Sequence, residues 1–197
     1  MTIEKTFDAA VQNHKKNNFQ AAENLYNEVL KIDSKHFESI FLLGTLSITI
    51  QNFDRAKQLL NQAILIQPNH AKSYNNLGVV FNKLGEVKKA MSYYQKAIEI
   101  NPNYVIAYNN LGLAFQELNE SHKAISCYKK AIQIDPNSVN VYNNLGLAFK
   151  ELKKFQKAIS YYQKAIEIQP NYVEAHNNLG FILSELGHAN EAKKYFE

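Results

Sequence analysis

Four asparagine pairs are the residues of this 197-residue chain whose type and spacing point most directly to recognition chemistry: Asn75 and Asn76, Asn109 and Asn110, Asn143 and Asn144, Asn177 and Asn178. Successive pairs are 34 residues apart. A primary amide carries donors and an acceptor together, so one side chain can match both the C=O and the N–H of a peptide backbone without reading its sequence. Just beyond the pairs stand Val79, Leu113, Leu147 and Phe181, apolar where polar neighbours predict a solvated surface. Such a stripe favours a partner, and partial burial between adjacent first helices is the other reading. Support for catalysis is thin. Cys127 has no His or Asp motif to activate it, the six His include no H-E-x-x-H spacing, and no Gly-rich phosphate loop occurs. The sequence therefore predicts no catalytic residue, no metal site and no cofactor, and a chain that is not an enzyme.

A single cysteine excludes an internal disulfide and favours a reducing compartment, so a cytoplasmic location is expected. No charge-free run approaches the ~18 residues that a membrane helix needs, and no membrane partner is expected. The net charge of +4 is too small an excess to imply nucleic acid. Lys89, Lys123 and Lys157, with Lys96, Lys130 and Lys164 seven residues on, form a basic row. Glu86, Glu99, Glu120 and Glu167 nearby make that row a solvated face.

The elements that position the amides follow from the same interval. Pro68, Pro102, Pro136 and Pro170 are spaced by 34, as are Gly44, Gly78, Gly112, Gly146 and Gly180. A fixed period of this length marks stacked supersecondary units. With Ala71 as position 1, the units are 3–36, 37–70, 71–104, 105–138, 139–172 and a partial 173–197, read as one domain over 1–197. Positions 4, 7, 8 and 11 share one helical face, and positions 20, 24 and 27 share a second. Each unit is thus a pair of amphipathic helices, with positions 1, 3, 10 and 14 extending the core arc of the first. Proline at position 32 ends the second helix.

Tyr74, Leu77, Gly78, Phe81, Ala90, Tyr94, Ala97 and Pro102 occupy positions 4, 7, 8, 11, 20, 24, 27 and 32, and the series recurs from Tyr108 to Pro136 and from Tyr142 to Pro170. This pattern resembles the tetratricopeptide repeat family. Units 3–36 and 37–70 diverge, with Ala10 and Ser34 replacing Gly and Pro in one, and Ser47 and Leu60 replacing aromatics in the other. The resemblance implies an all-α, right-handed superhelical solenoid of antiparallel helix pairs, about six repeats long.

It also implies that positions 2, 5, 6, 9, 12 and 13 line a concave groove, where the asparagines and the position 9 residues would bind an extended peptide or protein segment. The position 6 amides could equally bond neighbouring helices. The ladder is similar to the arm of the protein O-linked N-acetylglucosaminyltransferases, so a substrate-recruiting arm of a glycosyltransferase or sulfotransferase is the alternative role. A two-carboxylate clamp, which resemblance would place on Lys at position 5 and Asn at position 9, is not expected. Because the last unit stops inside its second helix, the sequence reading also allows a fragment of a longer protein, or self-association through an uncapped end.

Overall fold

The computed structural model describes residues 2–196. Among them are twelve α-helices and no strands. The first six are α1 (Ile3–Lys15), α2 (Phe19–Ile32), α3 (Phe37–Thr49), α4 (Phe53–Ile66), α5 (Ala71–Lys83) and α6 (Val87–Ile100). The rest are α7 (Val105–Glu117), α8 (Ser121–Ile134), α9 (Val139–Glu151), α10 (Phe155–Ile168), α11 (Val173–Glu185) and α12 (Ala189–Lys193). They fall into two compact units, Met1–Pro102 and Asn103–Glu197. In the first, α1 packs on α2, α3 on α4 and α5 on α6, while α2 meets α3, α4 meets α5 and α3 touches α5. The second repeats the scheme with α7 on α8, α9 on α10 and α11 on α12, and its first helices α7, α9 and α11 touch in succession.

Every hairpin after the first, which has Ala10 at position 8, closes over a glycine there. A Cβ added at Gly78, Gly112 or Gly146 would lie 2.4, 2.4 or 2.5 Å from a ring carbon of Tyr94, Tyr128 or Tyr162. At these three positions a methyl group would require the ring to shift, whereas the first hairpin buries Tyr26 with Ala10 at position 8. Gly44 meets the smaller Leu60 at 3.1 Å, a looser fit. Around this contact the position 7 leucines, Leu43, Leu77, Leu111, Leu145 and Leu179, are buried, as are Leu46, Val80, Ala114, Ala148 and Ile182 at position 10. Position 14 is mixed. Leu118, Leu152 and Leu186 are half-buried, with Leu152 packed on the core, while Ile50 and Leu84 are 39% and 41% exposed.

The turn between the two helices of every repeat is left-handed at position 15. Asn17, Gln51, Gly85, Asn119, Lys153 and Gly187 have φ of 61°, 61°, 76°, 58°, 55° and 82°. The second helices stop as the prolines predict. Gln67, Asn101, Asp135 and Gln169, each just before a proline, have φ near −130° and cannot continue the helix. Among the described residues no helix is long and apolar enough to cross a membrane.

Candidate binding face on the first helices

In the second unit the asparagines on α7, α9 and α11 join into a ladder. Asn144 Nδ2 donates to Asn109 Oδ1 at 2.9 Å, and Asn178 Nδ2 donates to Asn143 Oδ1 at 2.9 Å. Position 6 of one repeat thus reaches position 5 of the repeat before it. In the first unit Asn76 Nδ2 donates instead to Thr45 Oγ1 at 3.0 Å, and Asn75 Nδ2 donates to Asn76 Oδ1 at 3.3 Å.

The arc that holds both members of every pair is not uniformly open. Asn75 and Asn143 are 3% and 8% exposed. Asn143 is covered because α11 donates into it through Asn178. Asn76, Asn109, Asn110, Asn144 and Asn178 are half-buried, and Asn177 is exposed. Each ladder bond uses one N–H of a nitrogen that has two and one lone pair of an oxygen that has two. Asn144 and Asn178 therefore keep hydrogen-bonding capacity at a partly open position.

The apolar row is graded. Val79 and Leu147 are half-buried, while Leu113 and Phe181 are 40% and 60% exposed. Phe181 rests its ring against that of Phe196, centroids 5.4 Å apart. Ile106, seven residues before Leu113 on the same face of α7, is 55% exposed. The sequence reading missed it, although an isoleucine at position 2, where other repeats carry Lys72, Asn140 or Glu174, was the available signal.

Beside this row the position 24 tyrosines reach from the second helices toward position 12 of the first. His14 Nδ1 and Tyr26 Oη are 3.2 Å apart, and Tyr128 Oη donates to Gln116 Oε1. Gln116 Nε2 and Ser121 Oγ donate to the two oxygens of Glu151, both at 2.8 Å. In the next repeat position 12 is Lys150, and the buried Tyr162 hydroxyl has no partner. Burial pushes the Tyr26 phenol up to about 12. Burial, and after it the Glu151 charge, also raise Tyr128 and Tyr162. These hydroxyls stay protonated at any ordinary pH.

The remaining reactive residues serve packing. Burial pushes the Cys127 thiol up to about 11, so it is protonated at neutral pH. Lys89, Lys123 and Lys157 each lie 5.5 Å over the ring of Phe81, Phe115 or Phe149 at position 11 of the same repeat. That packing accounts for the position 19 lysines of the basic row, while Lys96 and Lys164 at position 26 pair with Glu99 and Glu167. Lys89 pairs with Glu86, and Lys123 with Glu120. His36 packs on Phe7, and His70 sets its edge against Phe37 and Phe41.

Models of the tetratricopeptide repeat match residues 71–104, 105–138 and 139–172, and further models of the same repeat match 14–77 and 161–194. No curated protein sequence matches the chain. Among solved structures, one of MamA is 30% identical, with 82% of this chain and 94% of that chain covered and a TM-score of 0.71. YrrB, a TPR protein with an unusual peptide-binding site, is 24% identical over 86% of this chain and 88% of its own, with a TM-score of 0.65. PilW, a widely conserved type IV pilus biogenesis factor, is 20% identical over 98% and 90%, with a TM-score of 0.88. The last two likenesses speak to the fold. With the repeat models spanning most of its length and the hairpins built as that repeat requires, this chain belongs to the tetratricopeptide repeat family.

Proposed function

We propose that this chain is a protein-interaction scaffold that takes an extended segment of another protein along the face of its first helices. One observation carries the reading: Leu113 and Phe181 stay 40% and 60% exposed beside an amide ladder that still has hydrogen bonds to give. An exposed apolar row is costly in water and is retained where something covers it. An extended segment rises about 3.3 Å per residue and packed helices are roughly 8–10 Å apart. One contact with each first helix is thus made by about every third ligand residue.

Asn144 and Asn178 would contact the ligand backbone, while Asn75 and Asn143 hold the ladder from inside. YrrB, with its unusual peptide-binding site, has the same fold at 24% identity. Selection from a random peptide display library against the whole chain tests the proposal. Enriched peptides should lose at least tenfold in affinity to Leu113→Asp/Phe181→Asp, which circular dichroism should show still helical, with some thermal stability lost because Phe181 gives up its ring contact with Phe196. Peptides that bind this variant as they bind the parent would place the interaction elsewhere.

A further inference from the structure

The apolar row of the second unit has a charged companion one helical turn away. Position 13 is Glu117 on α7, Glu151 on α9 and Glu185 on α11, each four residues after Leu113, Leu147 or Phe181 and so on the same face. All three are exposed, and none forms an ion pair among the described residues. Glutamates on the second helices differ, since Glu120 pairs with Lys123 and Glu167 with Lys164. Glu151 is held by two neutral donors, Gln116 and Ser121, which fix the carboxylate without neutralising it. Beside it lies the buried, unpartnered hydroxyl of Tyr162. The other charged residues on this arc are Glu174 and Lys150, so the face is acidic in a chain whose net charge is +4. In the first unit position 13 holds Lys15, Thr49 and Lys83, so the acidic row is not a general property of the repeat.

We infer that the first-helix face of the second unit recognises a cationic, apolar segment, one that sets aliphatic side chains on the Leu113, Leu147 and Phe181 row and Lys or Arg side chains on Glu117, Glu151 and Glu185. This rests on the proposed peptide-binding reading and adds the chemistry of the partner. The apolar row supplies affinity, and the carboxylates, already fixed or facing water, select the sign of charge.

Fluorescence anisotropy of the whole chain tests it with two labelled synthetic peptides of equal apolar content, one repeating Lys-Leu-Ser and one repeating Glu-Leu-Ser. The lysine peptide should bind at least tenfold tighter, and its affinity should fall steeply with added salt. Glu117→Gln/Glu185→Gln should weaken it by roughly two- to fivefold per carboxylate, the scale of an exposed ion pair. That variant leaves Glu151 and its hydrogen bonds in place. Equal binding of the two peptides, binding of neither, or an unaffected double variant overturns the inference. Library-selected peptides that need Leu113 and Phe181 yet lack Lys and Arg would overturn it while leaving the peptide-binding face standing. Peptides indifferent to Leu113 and Phe181 would remove the face itself.

Discussion

In the second unit one bond recurs between neighbouring first helices, Asn144 to Asn109 and Asn178 to Asn143. Among its described residues the first unit has no such amide ladder, and its repeats are joined by other contacts on both first and second helices. Asn76 reaches the Thr45 hydroxyl, Arg55 pairs with Glu23 and donates to Asn27, and His70 wedges its edge between Phe37 and Phe41. Where repeats are nearly identical, a side chain that suits one junction suits the next, and the exposed residues fall into rows as a by-product. Where repeats diverge, the junctions mix chemistries, although a histidine at position 34 packs on a phenylalanine at position 5 in both of the first two repeats. A surface that an extended ligand could follow in register is therefore a property of the second unit's regularity.

The sharpest way to break this comparison is at position 8. Gly146→Ala puts a methyl group 2.5 Å from the buried ring of Tyr162, so the ring and its neighbours must shift to admit it. Overpacking of this kind should cost about 1–3 kcal/mol. Gly44→Ala meets Leu60 at 3.1 Å, a contact that a branched aliphatic side chain can relieve by a small shift. Its cost should stay below about 1.5 kcal/mol. Urea unfolding of both variants measures the difference, and equal losses would show that the divergent hairpin is packed as tightly as the regular one.

Helix content, repeat length and the buried faces were all legible in the sequence, because a 34-residue period fixes which side chains share a face. Chain direction was less so. Lys153 and Gln51 carry no turn signal, yet both adopt left-handed φ, because the hairpin geometry imposes that backbone on whatever stands at position 15. At the candidate site the spacing put each asparagine on the inner arc but could not say which amide a neighbouring helix would cover. Asn143 is buried by a donor from the following repeat, a contact with no trace within its own repeat. The acidic row was visible as Glu117, Glu151 and Glu185 at one interval. It gained meaning only once Glu86, Glu99, Glu120 and Glu167 were seen to be paired with lysines.

The ladder itself gives the next largest effect. Asn144→Ala removes the donor to Asn109 and should cost about 1 kcal/mol, the net worth of one such bond. In the first unit, Asn76→Ala and Thr45→Val each break the same contact, so their effects should not add. A double-mutant cycle should return a coupling of about 0.5–1 kcal/mol. If Asn144→Ala is neutral in stability, the ladder is incidental to the fold and its amides are available to a ligand in full.

Position 15 offers a smaller change of opposite sign. A residue with a Cβ costs roughly 1–2 kcal/mol in the left-handed region, while glycine gives back about 0.5–1 kcal/mol through its freer unfolded chain. Lys153→Gly in the second unit and Gln51→Gly in the first should therefore each stabilise by about 0.5 kcal/mol. Asn119→Gly should gain less, since asparagine tolerates this backbone. Thermal unfolding of the three variants checks the order, and a destabilised Lys153→Gly would mean that the lysine side chain contributes more than its backbone costs.

Acid should act weakly on the first unit, through two of the histidines that join its elements. Burial lowers His14, which faces Tyr26 and Phe19, below the ordinary value of 6.5. Burial, then the Lys72 charge, lowers His70 likewise, with Glu38 opposing the shift. Around His70, Ser73 Oγ lies 2.8 Å from Nδ1, and the rings of Phe37 and Phe41 offer no anion to stabilise an imidazolium. As pH falls through 6.5 the unfolded chain takes up protons that the folded chain resists until lower pH. The stability from keeping these rings neutral is therefore complete above 6.5 and is lost progressively below it. The melting temperature of the parent should drop further between about pH 7.5 and about pH 5.5 than that of His14→Gln/His70→Gln, in which no proton is taken up. Parallel losses in the two proteins would move the acid-sensitive contact away from these histidines, and the first unit's irregular junctions would then carry no response to acid that the regular ladder lacks.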